Sequence, residues 1–128
     1  MVFPVSGLFA LNDEVASITF IDKQTDPKKP KDQAVSILRN ATKLSDKDID
    51  FGTTLQNFDT IKTGSHSQVE ITIYAKTGID AVLTIKPSTT MTLDITSLKA
   101  EQKGAINLLA GSIDLKVKKM TGANQLTV

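Results

Sequence analysis

The chain has 128 residues, about one domain's worth, and 40% of them are hydrophobic, so a sizeable core can form. Its 15 basic and 14 acidic side chains leave a net charge of +1, which argues against a dedicated nucleic-acid binder with its usual basic excess. With no Cys, one His, no Trp, five Phe and one Tyr, the composition excludes disulfides, thiolate metal sites and His-cluster zinc sites, and it supplies too few aromatics for base-stacking platforms or sugar grooves.

Taken in order, residues 1–13 are apolar between Val2 and Leu11, with no basic residue ahead of them. They read as an N-terminal arm, a first strand or the remainder of a trimmed export segment, since an intact signal peptide carries a positive start. No apolar run reaches the ~20 residues that a membrane helix needs. Residues 14–21 predict a strand with Ala16, Ile18 and Phe20 on one face and Val15, Ser17, Thr19 and Ile21 on the other. Both faces are partly apolar, so the pattern leaves the inward side open.

Residues 22–33 are the most polar stretch, with two Pro and four Lys, and predict an exposed hairpin loop. The functional alternative is an electrostatic docking loop for an anionic partner, although three Asp dilute the charge. Residues 34–39 fit a second strand. Asn40, Ala41 and Thr42 match a glycosylation sequon. Asp46, Asp48 and Asp50 have the alternation of a calcium loop, but Phe51 and Asn57 stand where Gly and a bidentate Glu belong. An exposed acidic turn is the better reading. Leu55, Phe58 and Ile61 are apolar anchors of residues 51–62, and Asp59 is placed to accept local backbone amides.

The clearest strand follows a turn at Thr63, Gly64 and Ser65. Val69, Ile71, Ile73 and Ala75 alternate with Glu70, Thr72 and Tyr74, the period of a strand buried on one face. The rhythm returns at 79–85, which Pro87 stops, and at 91–95. Residues 96–103 suit either one or two helical turns or a polar loop. Strands are predicted again at 105–109, at 113–117 and from 125, with Gly111 at the break between the first two. Because the chain ends inside that last run, an excised piece of a longer protein is one expectation. The sum is an all-β, single-domain sandwich or roll of about eight or nine short, mostly antiparallel strands; a β-solenoid-like stack is the alternative.

Residues 51–128 carry a further pattern. Gly52 and Leu55 form a Gly-x-x-Leu segment. Phe58, Asp59, Ile61, Thr63 and Gly64 then follow as a turn, with an alternating strand, a hairpin at Thr77 and Gly78, and a strand ending near Pro87. A late glycine element surrounds Gly111. This order resembles the FecR domain family of bacterial extracytoplasmic proteins, with residues 14–128 as the domain and Phe58 where that family usually has Gly. The resemblance implies a periplasmic or otherwise extracytoplasmic location. It also implies a role in protein–protein interaction or signalling, as in the membrane-tethered regulators coupled to iron-siderophore receptors.

The expected function is therefore a non-catalytic binding or signalling module that docks a protein or envelope component, with a strand edge as the natural place to dock. The alternative is a scaffold domain of a larger envelope protein with no ligand of its own. His66, beside Ser65 and Ser67 and seven residues from Asp59, is the only group resembling a triad inventory. Adjacent residues are not expected to point at one another, so no catalytic, cofactor or metal residue is assigned. Ferric iron would want hard oxygen ligands, and only the acidic turn at 46–50 could offer them.

Overall fold

Two β-sheets stacked on one apolar core make up the protein. The computed structural model describes residues 14–74, 79–97, 102–120 and 125–127. Its strands are β1 (Glu14–Lys23), β2 (Val35–Arg39), β3 (Thr42–Lys43), β4 (Thr54–Gln56), β5 (Thr60–Thr63), β6 (Ser67–Ile73), β7 (Ile79–Ile85), β8 (Thr90–Ser97), β9 (Gln102–Ala110), β10 (Ile113–Met120) and β11 (Gln125–Thr127). One sheet has the order β10-β7-β6-β1-β4 and the other β11-β9-β8-β5-β2-β3. The described pairings are antiparallel except that of β11 with β9. This is the all-β sandwich that the alternation predicts. The strand count exceeds eight or nine partly because β3 and β4, of two and three residues, are too short to display a period.

The core follows from the period-two pattern. Val69, Ile71 and Ile73 of β6 and Leu83 and Ile85 of β7 face Val35 and Ile37 of β2 and Met91 and Leu93 of β8, all fully buried. Each such side chain contributes about 1.5–3 kcal/mol by leaving water. Among the described residues, no helix is long and apolar enough to cross a membrane.

Four local readings change. On β1, Ile18 pairs with Ile71 but Phe20 pairs with Glu70, so Thr19 is an extra, bulged residue. A one-residue bulge reverses which side chains face inward. Phe20 therefore turns out to solvent at 48% exposure, and Ile21 packs against the core instead. The segment at 24–34 is not a hairpin loop: β1 and β2 belong to different sheets, so it crosses from one to the other. Phe58 is not an anchor. Its φ of +69° directs the ring outward, while Leu55 and Ile61 are buried. Within 96–103, the pairs Thr96–Lys103 and Ser97–Gln102 extend the β8–β9 ladder at both ends of the stretch, and residues 98–101 lie outside the described residues. The readings at residues 1–13, Ala75, Thr77 and Gly78 lie outside the described residues.

Asn40 and Ala41 close the β2–β3 hairpin with φ of +50° and +63°. Positive φ at both central positions marks the turn type that favours Asn-Gly. Ala at the second position carries about 1–2 kcal/mol of left-handed strain. Gly removes that strain but loses about 0.5–1 kcal/mol more chain entropy on folding. Ala41→Gly is thus expected to stabilise the protein by about 0.5–1 kcal/mol, read as a higher urea midpoint. An unchanged or lower midpoint would show that the turn is not strained.

Candidate ligand-binding cleft

The concave feature lies on the outer face of the six-stranded sheet. Ser36 of β2 pairs with Lys62 of β5, Lys62 with Thr90 of β8, and Thr90 with Ala110 of β9. These four form one cross-strand row of mostly small side chains, which leaves a shallow floor. The crossover at 24–34 contributes Asp26, Lys29, Lys31 and Asp32 to the lining, and β3 contributes Lys43. Together they bound an open cleft of about 750 Å³.

The charge is uneven. Four ammonium groups, those of Lys29, Lys31, Lys43 and Lys62, face two carboxylates. Among the described residues, none of these four ammonium groups has an ion-pair partner, whereas Lys23, Arg39 and Lys86 are each paired with an Asp. Like-charged groups gathered in a concavity raise the local potential and attract counter-charge. Asp26 accepts the Lys28 backbone N–H at 2.9 Å and the Ser65 hydroxyl at 3.1 Å. The Lys28 N–H is the main reason that its carboxyl is held below the usual value; desolvation opposes it, and the Ser65 hydroxyl and the neighbouring His66 and Lys29 add to the lowering.

The end of the cleft is rigid because a buried polar network ties the crossovers together. The Gly64 N–H is shared between the Ala34 carbonyl at 2.7 Å and Ser67 Oγ at 2.8 Å. Ser67 Oγ donates in turn to the Ala34 carbonyl at 2.8 Å. Thr63 Oγ1 donates to the Lys86 carbonyl at 2.6 Å and accepts the Thr89 N–H at 3.0 Å. Ser67, Thr63 and Thr89 are all buried. Their inward hydroxyls are satisfied, which a buried polar group requires. The lining thus rests on crossovers that cannot shift independently.

The other residues singled out in the sequence have structural duties. Asp59 is 1% exposed; it accepts Arg39 through Nε at 3.0 Å and Nη2 at 2.7 Å, and the Gln56 N–H at 2.8 Å. It stabilises the turn as expected, but its arginine partner comes from a different strand. The Asp59 hydrogen bond is the main reason that Arg39 is held above its usual value, with desolvation opposing.

The acidic segment forms a 3-10 turn at Asp46–Asp48. Lys23 Nζ donates to the Asp46 and Ile49 carbonyls, and Thr53 Oγ1 donates to the Asp48 carbonyl. Asp50 Oδ1 accepts the Phe51 N–H at 2.7 Å. Among the described residues, no three His, Asp or Glu side chains converge as a metal site would require.

Ser65 and His66 occupy an exposed turn, and contrary to expectation they do meet there: Ser65 Oγ lies 2.8 Å from His66 Nδ1. The carboxylate beside them is Asp26, not Asp59, and it contacts the serine rather than the imidazole. A triad needs the imidazole between carboxylate and serine. This order leaves the ring unoriented by an acid, and both residues are exposed.

Fold and site together define a β-sandwich that presents a basic, open cleft on one sheet. The chain matches no family model, no curated protein and no solved structure at a significant level.

Proposed function

We infer that this protein is a non-catalytic binding module of the bacterial cell envelope that docks an envelope component through the cleft. The observation that carries the reading is the gathering of four lysines without ion-pair partners around one concavity on a tied-down scaffold. Sheet edges are a poorer candidate. The long edge strand β10 exposes Lys116 along its length, and lysine on an edge is a device that discourages strand addition.

The extracytoplasmic setting is supported by the resemblance of residues 51–128 to the FecR domain family. Phe58, at the position of that family's turn glycine, has a left-handed φ of +69°, a conformation that favours glycine. The non-catalytic character is supported by the order of Asp26, Ser65 and His66, which does not activate a nucleophile.

The test is capture from an envelope extract on the immobilised protein. Wild-type protein is expected to retain an anionic component that elutes at roughly 0.5 M salt, where exposed charge pairs are screened. The double variant Lys29→Glu with Lys62→Glu is expected to retain none. Equal capture by both proteins would remove the cleft from the function.

A further inference from the structure

We propose that the cleft takes an anionic polyol chain, a sugar or sugar-alcohol polymer bearing phosphodiester or carboxylate groups, rather than an acidic peptide or a nucleic acid. The proposal rests on the cleft being the docking site, and it names the chemistry of what docks there.

Five features of the cleft carry it. Among the described residues of the lining, nothing apolar is larger than Ala34 and Ala110, and none is aromatic. Protein partners bind through aromatic and aliphatic anchors seated in pockets, and single-stranded nucleic acids through bases stacked on aromatic side chains. Neither anchor has a seat here. The cations are all lysines and none is an arginine. Lysine is a point charge on a flexible stem, suited to anions spaced along a mobile chain, whereas planar two-point recognition of a carboxylate uses arginine.

The hydroxyls of Ser36, Ser88 and Thr90 join the lysines in the lining, so donors and acceptors for ligand hydroxyls stand between the charges. Asp26 and Asp32 are interspersed with the cations. A polyol chain places hydroxyls beside its charges, and these can donate to the two carboxylates, whereas the side chains of poly-glutamate offer them only further negative charge. The floor spans four adjacent strands, β2, β5, β8 and β9, or roughly 14 Å at the usual strand spacing. That length accommodates a segment of a linear polymer rather than a single small anion.

The experiment is a binding titration of the whole chain against five probes matched in length. They are a glycerol-phosphate oligomer, an oligogalacturonate, poly-glutamate, single-stranded DNA and neutral dextran. At least one of the first two is expected to bind tenfold or more tightly than the other three; which one does so distinguishes a phosphodiester from a carboxylate source. If two or three lysines each neutralise one ligand charge, the logarithm of affinity should fall with the logarithm of salt at a slope of about −1.5 to −2. Lys29→Gln and Lys62→Gln should each weaken binding several-fold and reduce that slope. Lys47→Gln, exposed on the 3-10 turn outside the cleft, should change neither. Tighter binding of poly-glutamate or DNA, still sensitive to Lys62, would overturn the polyol chemistry while leaving the docking site standing. Binding of every probe that is absent, or indifferent to Lys29 and Lys62, would overturn both.

Discussion

Asp59→Ala is expected to lower the unfolding free energy by about 3 kcal/mol, seen as a loss of more than 1 M from the urea midpoint at an ordinary slope of about 2 kcal/mol/M. Asp59 joins three segments: it accepts both Arg39 nitrogens and the Gln56 amide, and its own carbonyl accepts the Leu93 N–H at 3.0 Å. Its carboxylate is 1% exposed, and the Arg39 side chain 22%. Removing the carboxylate leaves a mostly buried Arg39 side chain with one remaining hydrogen bond, to the Thr54 carbonyl at 3.3 Å, and the negative charge of Glu14 nearby. Exposed ion pairs are worth less than about 1 kcal/mol, so burial sets the size of this effect. Asp59→Asn should cost somewhat less, because an amide oxygen can still accept from Gln56. The double variant Asp59→Asn with Arg39→Met should recover at least 1 kcal/mol relative to the sum of the single changes, since neither charge is then left alone. Additive losses would show that the two side chains act separately.

This pair also marks where sequence reasoning stops. Asp59 as a turn carboxylate was legible, because Asp readily bonds nearby backbone amides. Arg39 was not, because its role depends on which strand comes to lie beside the turn. The same division runs through the fold. The inward set of β6 could be read directly from the period of Val69, Ile71 and Ile73. The facing of Phe20 and Ile21 could not, because the bulge at Thr19 exists only relative to β6. The lysine-rich crossover was recognisable from Lys29 and Lys31 as a candidate docking loop for an anionic partner. Lys43 and Lys62 gave no local signal. They join the cleft because β5, β2 and β3 are consecutive in one sheet, and strand order is a long-range property. Phe58 is a fourth case. A bulky residue gives no hint of positive φ, and the sequence reads Phe58 as an apolar anchor rather than as a left-handed turn residue.

Gly111→Ala is expected to be at least as damaging as Asp59→Ala, at about 3–5 kcal/mol, for reasons that a second glycine can separate. Gly111 has a φ of +89°, and a methyl group there would lie 2.4 Å from Thr89 Oγ1 and 2.5 Å from both the Ser88 carbonyl oxygen and Thr89 Cα. Two of those atoms are backbone. Thr89 is fully buried, and its backbone exchanges bonds with Thr63, N–H to Oγ1 at 3.0 Å and carbonyl to N–H at 2.8 Å. Thr89 Oγ1 also accepts the Ser112 N–H at 3.0 Å, and the Ser88 N–H donates to the Gly64 carbonyl at 2.9 Å. Making room for a methyl group therefore breaks bonds in three crossovers at once, a mechanism that belongs among the large single-substitution effects. Gly52 shares the left-handed conformation, at +87°, but has no atom within 4 Å of its missing methyl group. Gly52→Ala should cost only the conformational penalty of about 1 kcal/mol. The difference between the two variants measures the clash alone. Because Ser88, Thr90 and Ala110 also line the cleft, Gly111→Ala should weaken ligand capture even where enough protein remains folded to assay, while Gly52→Ala leaves capture intact. Equal losses of stability would mean that the 86–89 and 110–112 segments are free to separate, and the cleft would then lack the fixed end on which its recognition depends.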